Sequence, residues 1–391
     1  MSFNSLGISS SLTAILCEME ITQPLPIQEL VIPAALDRKN IIATSQTGSG
    51  KTLAYLLPVV QHLISAKNKD QRALILAPTR ELAQQISNVC HHLCSDSDLT
   101  DTIIVGGVDY QPQRDNLKCQ PNIIVATPGR LLDLVEQGAT DRLQVNYFVL
   151  DEVDQMVDLG FRDPIIQLSE LRCLGAQSLY FSATMSESVV EIISRLSPDA
   201  IELKISDMPL SVSTIDHFGY YVSFEMMDRL LIHLLRSESA QQTIVFTRSR
   251  KMADRVVGVL QQNSIVAEAM HSDKSQAARE HILARFRSGE TSIIVATDVI
   301  ARGIDIDSVT HVFNFGLPQS AEQYIHRCGR CGRIGRSGRA ISIFTPEERP
   351  ILNAICRLMK RHIVIDDNHP YLTPDVTRAL NDISPRGKRK K

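Results

Sequence analysis

The sequence predicts an α/β protein of two tandem domains, each a mostly parallel sheet covered by helices on both faces. Short, nearly continuous apolar runs rich in Val, Ile and Leu alternate with longer helical patterns, as expected for strands buried on both faces. The whole alternation then restarts in the second half of the chain. A length of 391 residues suits two to three domains.

In the first half the strand candidates are NIIAT (40–44), RALILAP (72–78), DTIIVGG (101–107), NIIVATP (122–128), YFVLDE (147–152) and SLYFSAT (178–184). Helical patterns such as RELAQQISNVCHHL separate them. In the second half they are TIVFTRS (243–249), SIVAEAMHS (264–272), TSIIVATD (291–298), HVFNFG (311–316) and RAISIFT (339–345), with helical KMADRVVGVLQQN and QAAREHILARFRSG between them. The stretch KISDMPLSVS (204–213), with Pro, Asp, three serines and no period, reads as a linker. The expected division is a first domain at 1–206, a linker at 207–213, a second domain at 214–366 and a short basic tail at 367–391.

No stretch approaches the roughly 18 apolar residues of a membrane span, and MSFNSLGISSS lacks a basic segment followed by an apolar core. A cytoplasmic protein with reduced thiols is therefore expected. Two cysteine clusters, CHHLC (90–94) and HRCGRC (326–331), lack a second half with zinc-finger spacing. Cys90 and Cys94, four apart on a helical pattern, read as packing. Formal net charge is −3, and SPRGKRKK at the end holds five basic residues, so the rest carries −8. A chain so balanced binds nucleic acid through a local groove rather than a general positive coat. The tail reads equally as a source of non-specific nucleic-acid affinity or a solubility feature.

Residues 45–52, SQTGSGKT, follow the strand candidate NIIAT directly. Strand, glycine loop and helix in that order form a phosphate cradle. Thr47, Gly48, Ser49 and Gly50 turn the backbone N–H groups toward phosphate, Lys51 supplies a cation, and Thr52 offers a hydroxyl to Mg²⁺. Ser45 stands where the pattern usually has Gly or Ala. Such a loop needs an acid on a neighbouring strand to hold Mg²⁺, and Asp151 ends the YFVL run. Glu152 beside it can polarise an attacking water.

With these motifs in place, DEVD (151–154), SAT (182–184), PTRELAQQ and HRCGRCGR resemble the DEAD-box ATP-dependent RNA helicases over residues 3 to about 365. The second half looks most like the bacterial RhlE-type branch. The resemblance implies two RecA-like domains, an ATP·Mg²⁺ site and RNA-stimulated ATP hydrolysis. Val153 replaces the family's alanine and is expected to be a packing variant. Gln28 matches the glutamine that reads the adenine edge, and Phe3 its upstream aromatic. Glu20, Ile21 and Leu25 depart from the family's Gly, aromatic and Ser or Thr, which implies weaker adenine selectivity or ATP affinity. Gly303 and Asp305, in TDVIARGIDI, match residues at the nucleotide, Asp305 at the ribose. Ile300 stands where a small residue is usual. Arg330 and Arg333 match arginines that reach the γ-phosphate. Asp154, Ser182, Thr184 and His326 match the residues that couple hydrolysis to domain closure. The spacing of Cys328 and Cys331 then follows from arginine spacing, and a thiol there is a candidate for redox sensitivity.

RNA contacts are expected at strand ends carrying Arg, Thr and Gly. They are Pro78, Thr79, Arg80, Gly106, Gly107, Thr127, Pro128, Gly129 and Arg130 in the first domain, and Arg248, Gln276, Arg279, Thr297, Asp298, Arg302 and Gly303 in the second. Contacts to phosphates and 2′-hydroxyls distinguish RNA from DNA but not one sequence from another. The expected partner is single-stranded or short duplex RNA, alone or in ribonucleoprotein or ribosomal precursors, with no membrane partner. The expected function is local unwinding of short duplexes or remodelling of RNA–protein complexes. An ATP-gated RNA clamp with little unwinding is the alternative, and a DNA translocase a third reading.

Overall fold

The structure is a computed structural model. It describes residues 1–45, 48–67, 70–139, 143–204, 215–238, 242–298, 309–332 and 338–373. The chain divides into two compact units, Met1–Met208 and Pro209–Lys391.

The first unit holds strands β1 (Ile41–Thr44), β2 (Ala73–Leu76), β3 (Asp101–Ile104), β4 (Ile123–Ala126), β5 (Val145–Asp151), β6 (Arg172–Ser182) and β7 (Ile201–Lys204). They form one sheet in the order β3-β4-β2-β5-β6-β1-β7, and every pairing is parallel. Alternation along each strand feeds two cores. Ala73, Ile75, Tyr147 and Val149 join the cluster on one face, while Leu74, Leu76, Phe148 and Leu150 join the cluster on the other. Helices Pro26–Leu36, Lys51–Ser65 and Arg80–Leu93 supply the first cluster, and Pro128–Glu136 and Glu187–Leu196 the second.

The second unit repeats the plan with β8 (Ile215–Tyr221), β9 (Thr243–Thr247), β10 (Glu268–Met270), β11 (Ile293–Thr297), β12 (His311–Phe315), β13 (Gly338–Phe344) and β14 (Val364–Ile365). The order is β10-β11-β9-β12-β13-β8-β14, again parallel throughout. Ile244 and Phe246 face one core and Val245 the other. In each unit the parallel strands deliver their following loops to a single edge, where ligands of such sheets collect.

Three strands carried no sequence expectation. IELK at β7 is mostly exposed, and β14 is a two-residue exposed edge. Strand β8 contains Asp, His and Gly, which break an apolar run. Residues 367–373 also differ from the expected free tail. His369 Nε2 lies 3.0 Å from the Tyr221 carbonyl, and the Tyr371 ring meets His233 edge-on at 5.9 Å. Residues 205–214 and 374–391, which include the expected linker and most of the expected tail, lie outside the described residues. Among the described residues no helix is long and apolar enough to cross a membrane.

Candidate functional site

In the first unit the phosphate loop leaves β1 and enters the helix Lys51–Ser65. Lys51 is buried, and its Nζ donates to the Ser45 carbonyl at 3.0 Å. The Ser45 hydroxyl, the departure from the usual pattern, lies 2.9 Å from the Ser49 hydroxyl and so is absorbed locally. Gly50 has φ +88°, and a Cβ there would lie 2.5 Å from Gln28 Nε2. Both the left-handed backbone and the close approach therefore require glycine.

Gln28 is held tightly. Its Oε1 accepts the Leu25 N–H at 2.8 Å and its Nε2 donates to the Gly50 carbonyl at 3.0 Å. The amide thus ties the start of helix Pro26–Leu36 to the phosphate loop. Around it, Leu25 is exposed, Ile21 packs against the apolar core, and Glu20 takes φ +62° where the family has glycine. Phe3, expected at the nucleotide, is 1% exposed and lies inside the core with Leu6, Leu16 and Ile27. Its ring is therefore packed in the core beside that helix.

Asp151 ends β5 and is 2% exposed. Its Oδ2 accepts the Tyr55 hydroxyl at 2.9 Å. Its Oδ1 is buried and has no hydrogen-bond partner among the described residues. Burial pushes the Asp151 pKa up, and the Lys51 charge works against that rise. An unpartnered buried carboxylate oxygen near a lysine and a glycine-lined cradle fits a divalent cation with phosphate. Glu152 is buried at φ +57°, at the break between β5 and the helix Val153–Asp158. Val153 is fully buried in the core with Leu150, Met156 and Val189.

Asp154 joins two loops. Its Oδ2 accepts the Ala183 N–H at 3.2 Å, the Thr184 N–H at 2.9 Å and the Thr184 hydroxyl at 2.9 Å. Its Oδ1 accepts the Gln155 N–H at 3.1 Å. Ser182 donates to the Thr184 carbonyl at 2.6 Å and is fully buried. The acid box after β5 and the SAT turn after β6 therefore form one hydrogen-bonded unit.

The loops after β2, β3 and β4 are also knitted together. Thr79 caps the helix Arg80–Leu93 by accepting the Leu82 N–H at 3.3 Å. The Arg80 guanidinium lies over Gly106 and Gly107, where a Cβ on Gly107 would come within 1.8 Å of Arg80 Nη1. Arg130 donates to the Val108 carbonyl at 3.2 Å and stacks over Tyr110 at 5.3 Å. Pro78, Thr127 and Pro128 are buried beside them, with Gly129 half-buried. The expected contact residues of the first domain thus share one edge of one sheet.

In the second unit the expected residues also end strands or begin helices, but several are occupied internally. Arg248 donates to the Leu317 carbonyl at 2.7 Å and pairs with Glu348. Arg279, 5% exposed, donates to Gln276 Oε1 at 2.6 Å, and Gln276 donates to Glu280 at 2.9 Å. Thr297 ends β11. Arg330 is 3% exposed and its Nε donates to the His326 carbonyl at 3.2 Å; His326 is buried as well. Thr47, Ile300, Arg302, Gly303, Asp305 and Arg333 lie outside the described residues.

Two residues were missed by sequence reasoning. Arg327 is 1% exposed and forms a two-pronged pair with Asp298. It also donates to Asn314 Oδ1 and the Gly316 carbonyl, each at 3.2 Å, and so fastens the ends of β11 and β12. Its signal was the His-Arg pair opening HRCGRCGR. The other is Tyr55, one helical turn after Lys51. The thiols of that motif are inert in form. Cys328 and Cys331 are buried, and burial pushes Cys328 up to about 12. Cys90 and Cys94 are buried in the first unit's core.

Comparison with known proteins places this geometry. Residues 25–192 match the DEAD/DEAH box helicase family, and residues 224–335 match the helicase conserved C-terminal domain. The DEAD-box ATP-dependent RNA helicase RhpA of Helicobacter pylori is 37% identical over 347 residues, covering 89% of this chain and 70% of the relative. CshA of Bacillus subtilis, likewise a DEAD-box ATP-dependent RNA helicase, is 38% identical over 361 residues, covering 92% and 73%. Among solved structures, S. cerevisiae Dbp5 bound to RNA and ADP BeF3 superposes with a TM-score of 0.84 at 30% identity, covering 97% of this chain and 99% of that one. The DEAD-box helicase Mss116 bound to ssRNA and UDP-BeF gives 0.86 at 26% identity, covering 97% and 82%. Two RecA-like units, both family matches and relatives matched over most of their length lead to one conclusion: the chain belongs to the DEAD-box ATP-dependent RNA helicase family.

Proposed function

We infer that this protein is an RNA-stimulated ATPase that hydrolyses ATP to ADP and phosphate, and that it locally unwinds short RNA duplexes or remodels RNA–protein complexes. The observation that carries the reading is the meeting of Lys51, Asp151, Glu152 and the Asp154–Thr184 bridge at one sheet edge.

The phosphate loop, Thr47 to Thr52, holds the triphosphate, with Lys51 on the terminal phosphates and Gln28 at the adenine. Thr52 and Asp151 would hold Mg²⁺, which when bound would neutralise charge developing on the phosphates. Glu152 orients and polarises the attacking water. Arg330 and Arg333 act as fingers from the second domain, with Gly303 and Asp305 at the nucleotide. His326 meets the first domain's acid box on closure. Pro78, Thr79, Arg80, Gly107, Thr127 and Arg130 bind the RNA backbone with Arg248, Gln276, Arg279, Thr297 and Arg302. Arg248 and Arg279 must exchange internal partners for phosphate, so RNA binding on the second domain costs a rearrangement. ATP and RNA favour the same closed state and therefore bind cooperatively. The finer readings are a cytoplasmic protein of the RhlE-type branch acting on ribonucleoprotein or ribosomal precursors.

The second reading is an ATP-gated clamp that binds RNA with little unwinding. Strand displacement from a short RNA duplex separates the two. An unwinder releases strands repeatedly with ATP and once or not at all with a non-hydrolysable analogue. A clamp stays bound to RNA with either nucleotide and releases none.

A further inference from the structure

Tyr55 is a fully buried group at the phosphate site to which neither the motif nor the proposed mechanism gives work. It lies on the helix Lys51–Ser65, four residues after Lys51 and three after Thr52, so all three share one helical face. Its ring packs against Phe181 at 5.0 Å, and Phe181 is the β6 residue in register with Asp151. The ring is therefore held against the strand that pairs with Asp151.

That hydroxyl donates to Asp151 Oδ2 at 2.9 Å. A phenol has one proton to give. Since it goes to Oδ2, that oxygen is committed to the phenol, and Asp151 keeps Oδ1, which is buried and has no hydrogen-bond partner among the described residues.

We propose that Tyr55 is a positioning residue for a divalent cation bound with nucleotide: its hydroxyl holds Asp151 Oδ2 and so fixes the carboxylate with Oδ1 left to the ion. Without the phenol hydroxyl, the Asp151 carboxylate is free to turn and Oδ1 loses its fixed direction. The partner that orients a metal ligand typically changes metal affinity by about 10–100-fold. The proposal rests on the reading of Thr52 and Asp151 as the Mg²⁺ residues.

The test is Tyr55→Phe, which removes one oxygen and keeps the ring. Binding of a fluorescent ADP is titrated against Mg²⁺ in the full chain, beside thermal unfolding without nucleotide. ADP affinity in chelator should match the wild type, and the Mg²⁺ concentration for half-maximal enhancement should rise about tenfold. An unchanged Mg²⁺ response, with or without a fall in stability, overturns the proposal and leaves the hydroxyl a core partner of Asp151. Asp151→Asn is the control for the underlying reading. If it responds to Mg²⁺ as the wild type does, Asp151 does not hold the ion and both ideas fail. If it alone loses the response, only the role of Tyr55 is refuted. Should Tyr55→Phe not fold, ¹³Cζ-tyrosine placed at position 55 alone reports on the intact protein. Its resonance must move when Mg²⁺ is added to the ADP complex, and a static resonance overturns the proposal.

Discussion

Asp154→Asn keeps the shape of the side chain and changes what it can accept. The native carboxylate accepts hydrogen bonds from Ala183 N, Thr184 N, the Thr184 hydroxyl and Gln155 N, four bonds within the described loops. Asparagine must place its NH₂ at one of the two oxygen positions. At Oδ2 it faces three donors, so the amide settles with its oxygen there and its NH₂ against the Gln155 N–H. Three charge-assisted bonds then become neutral, each falling from about 1.5–3 to about 1 kcal/mol, and the fourth is lost. The sum is about 3–9 kcal/mol. For a unit of this size, 1 kcal/mol moves Tm by about 2–4 °C, so the transition of the first unit should fall by at least about 6 °C in differential scanning calorimetry. Thr184→Val removes one of these donors and should cost at least about 3 °C. The double variant should fall short of the sum, because the two changes remove one shared bond. A drop below about 2 °C for Asp154→Asn, or strict additivity, would refute the bridge between the acid box and the SAT turn.

Val153→Ala removes two methyls from a fully buried site and should cost about 2 kcal/mol while leaving RNA-stimulated ATP turnover within a few-fold; a loss of about a hundredfold, some 2.7 kcal/mol at the transition state, would give the side chain a role beyond packing. GTP should compete with a fluorescent ATP analogue within about tenfold of ATP, because Ile21 offers no ring and the Gln28 amide is already engaged by Leu25 and Gly50. Tight ATP binding with strong rejection of GTP would contradict this. Peroxide should inactivate the protein and its Cys331→Ser variant at the same rate, since Cys331 is 1% exposed and Cys328 is pushed up to about 12. Protection by the substitution would restore the redox reading.

The central strands were legible because burial on both faces demands apolar runs such as ALIL and IIVA, and a parallel sheet leaves few other sequences possible. Edge strands escape that demand, which is why IELK and the two-residue β14 went unseen. Lys51, Asp151 and Asp154 were legible because their chemistry fixes both residue type and spacing. Phe3 was legible as a motif aromatic, but its burial in the core was not, because a motif position says which residue is present and not how its ring packs. Tyr55 left no trace in the motif reading. Its partner lies 96 residues away on another strand, and only the folded sheet brings the two together. Arg248 was legible as a strand-end cation, but its pairing with Glu348, 100 residues on, was not.

ATP hydrolysis measured alone, with single-stranded RNA, and with DNA of the same sequence tests the central claim most directly, with Glu152→Gln as the control. The account predicts turnover stimulated by RNA but not by DNA, and lost in Glu152→Gln. Turnover that ignores RNA, or that survives Glu152→Gln, would contradict it.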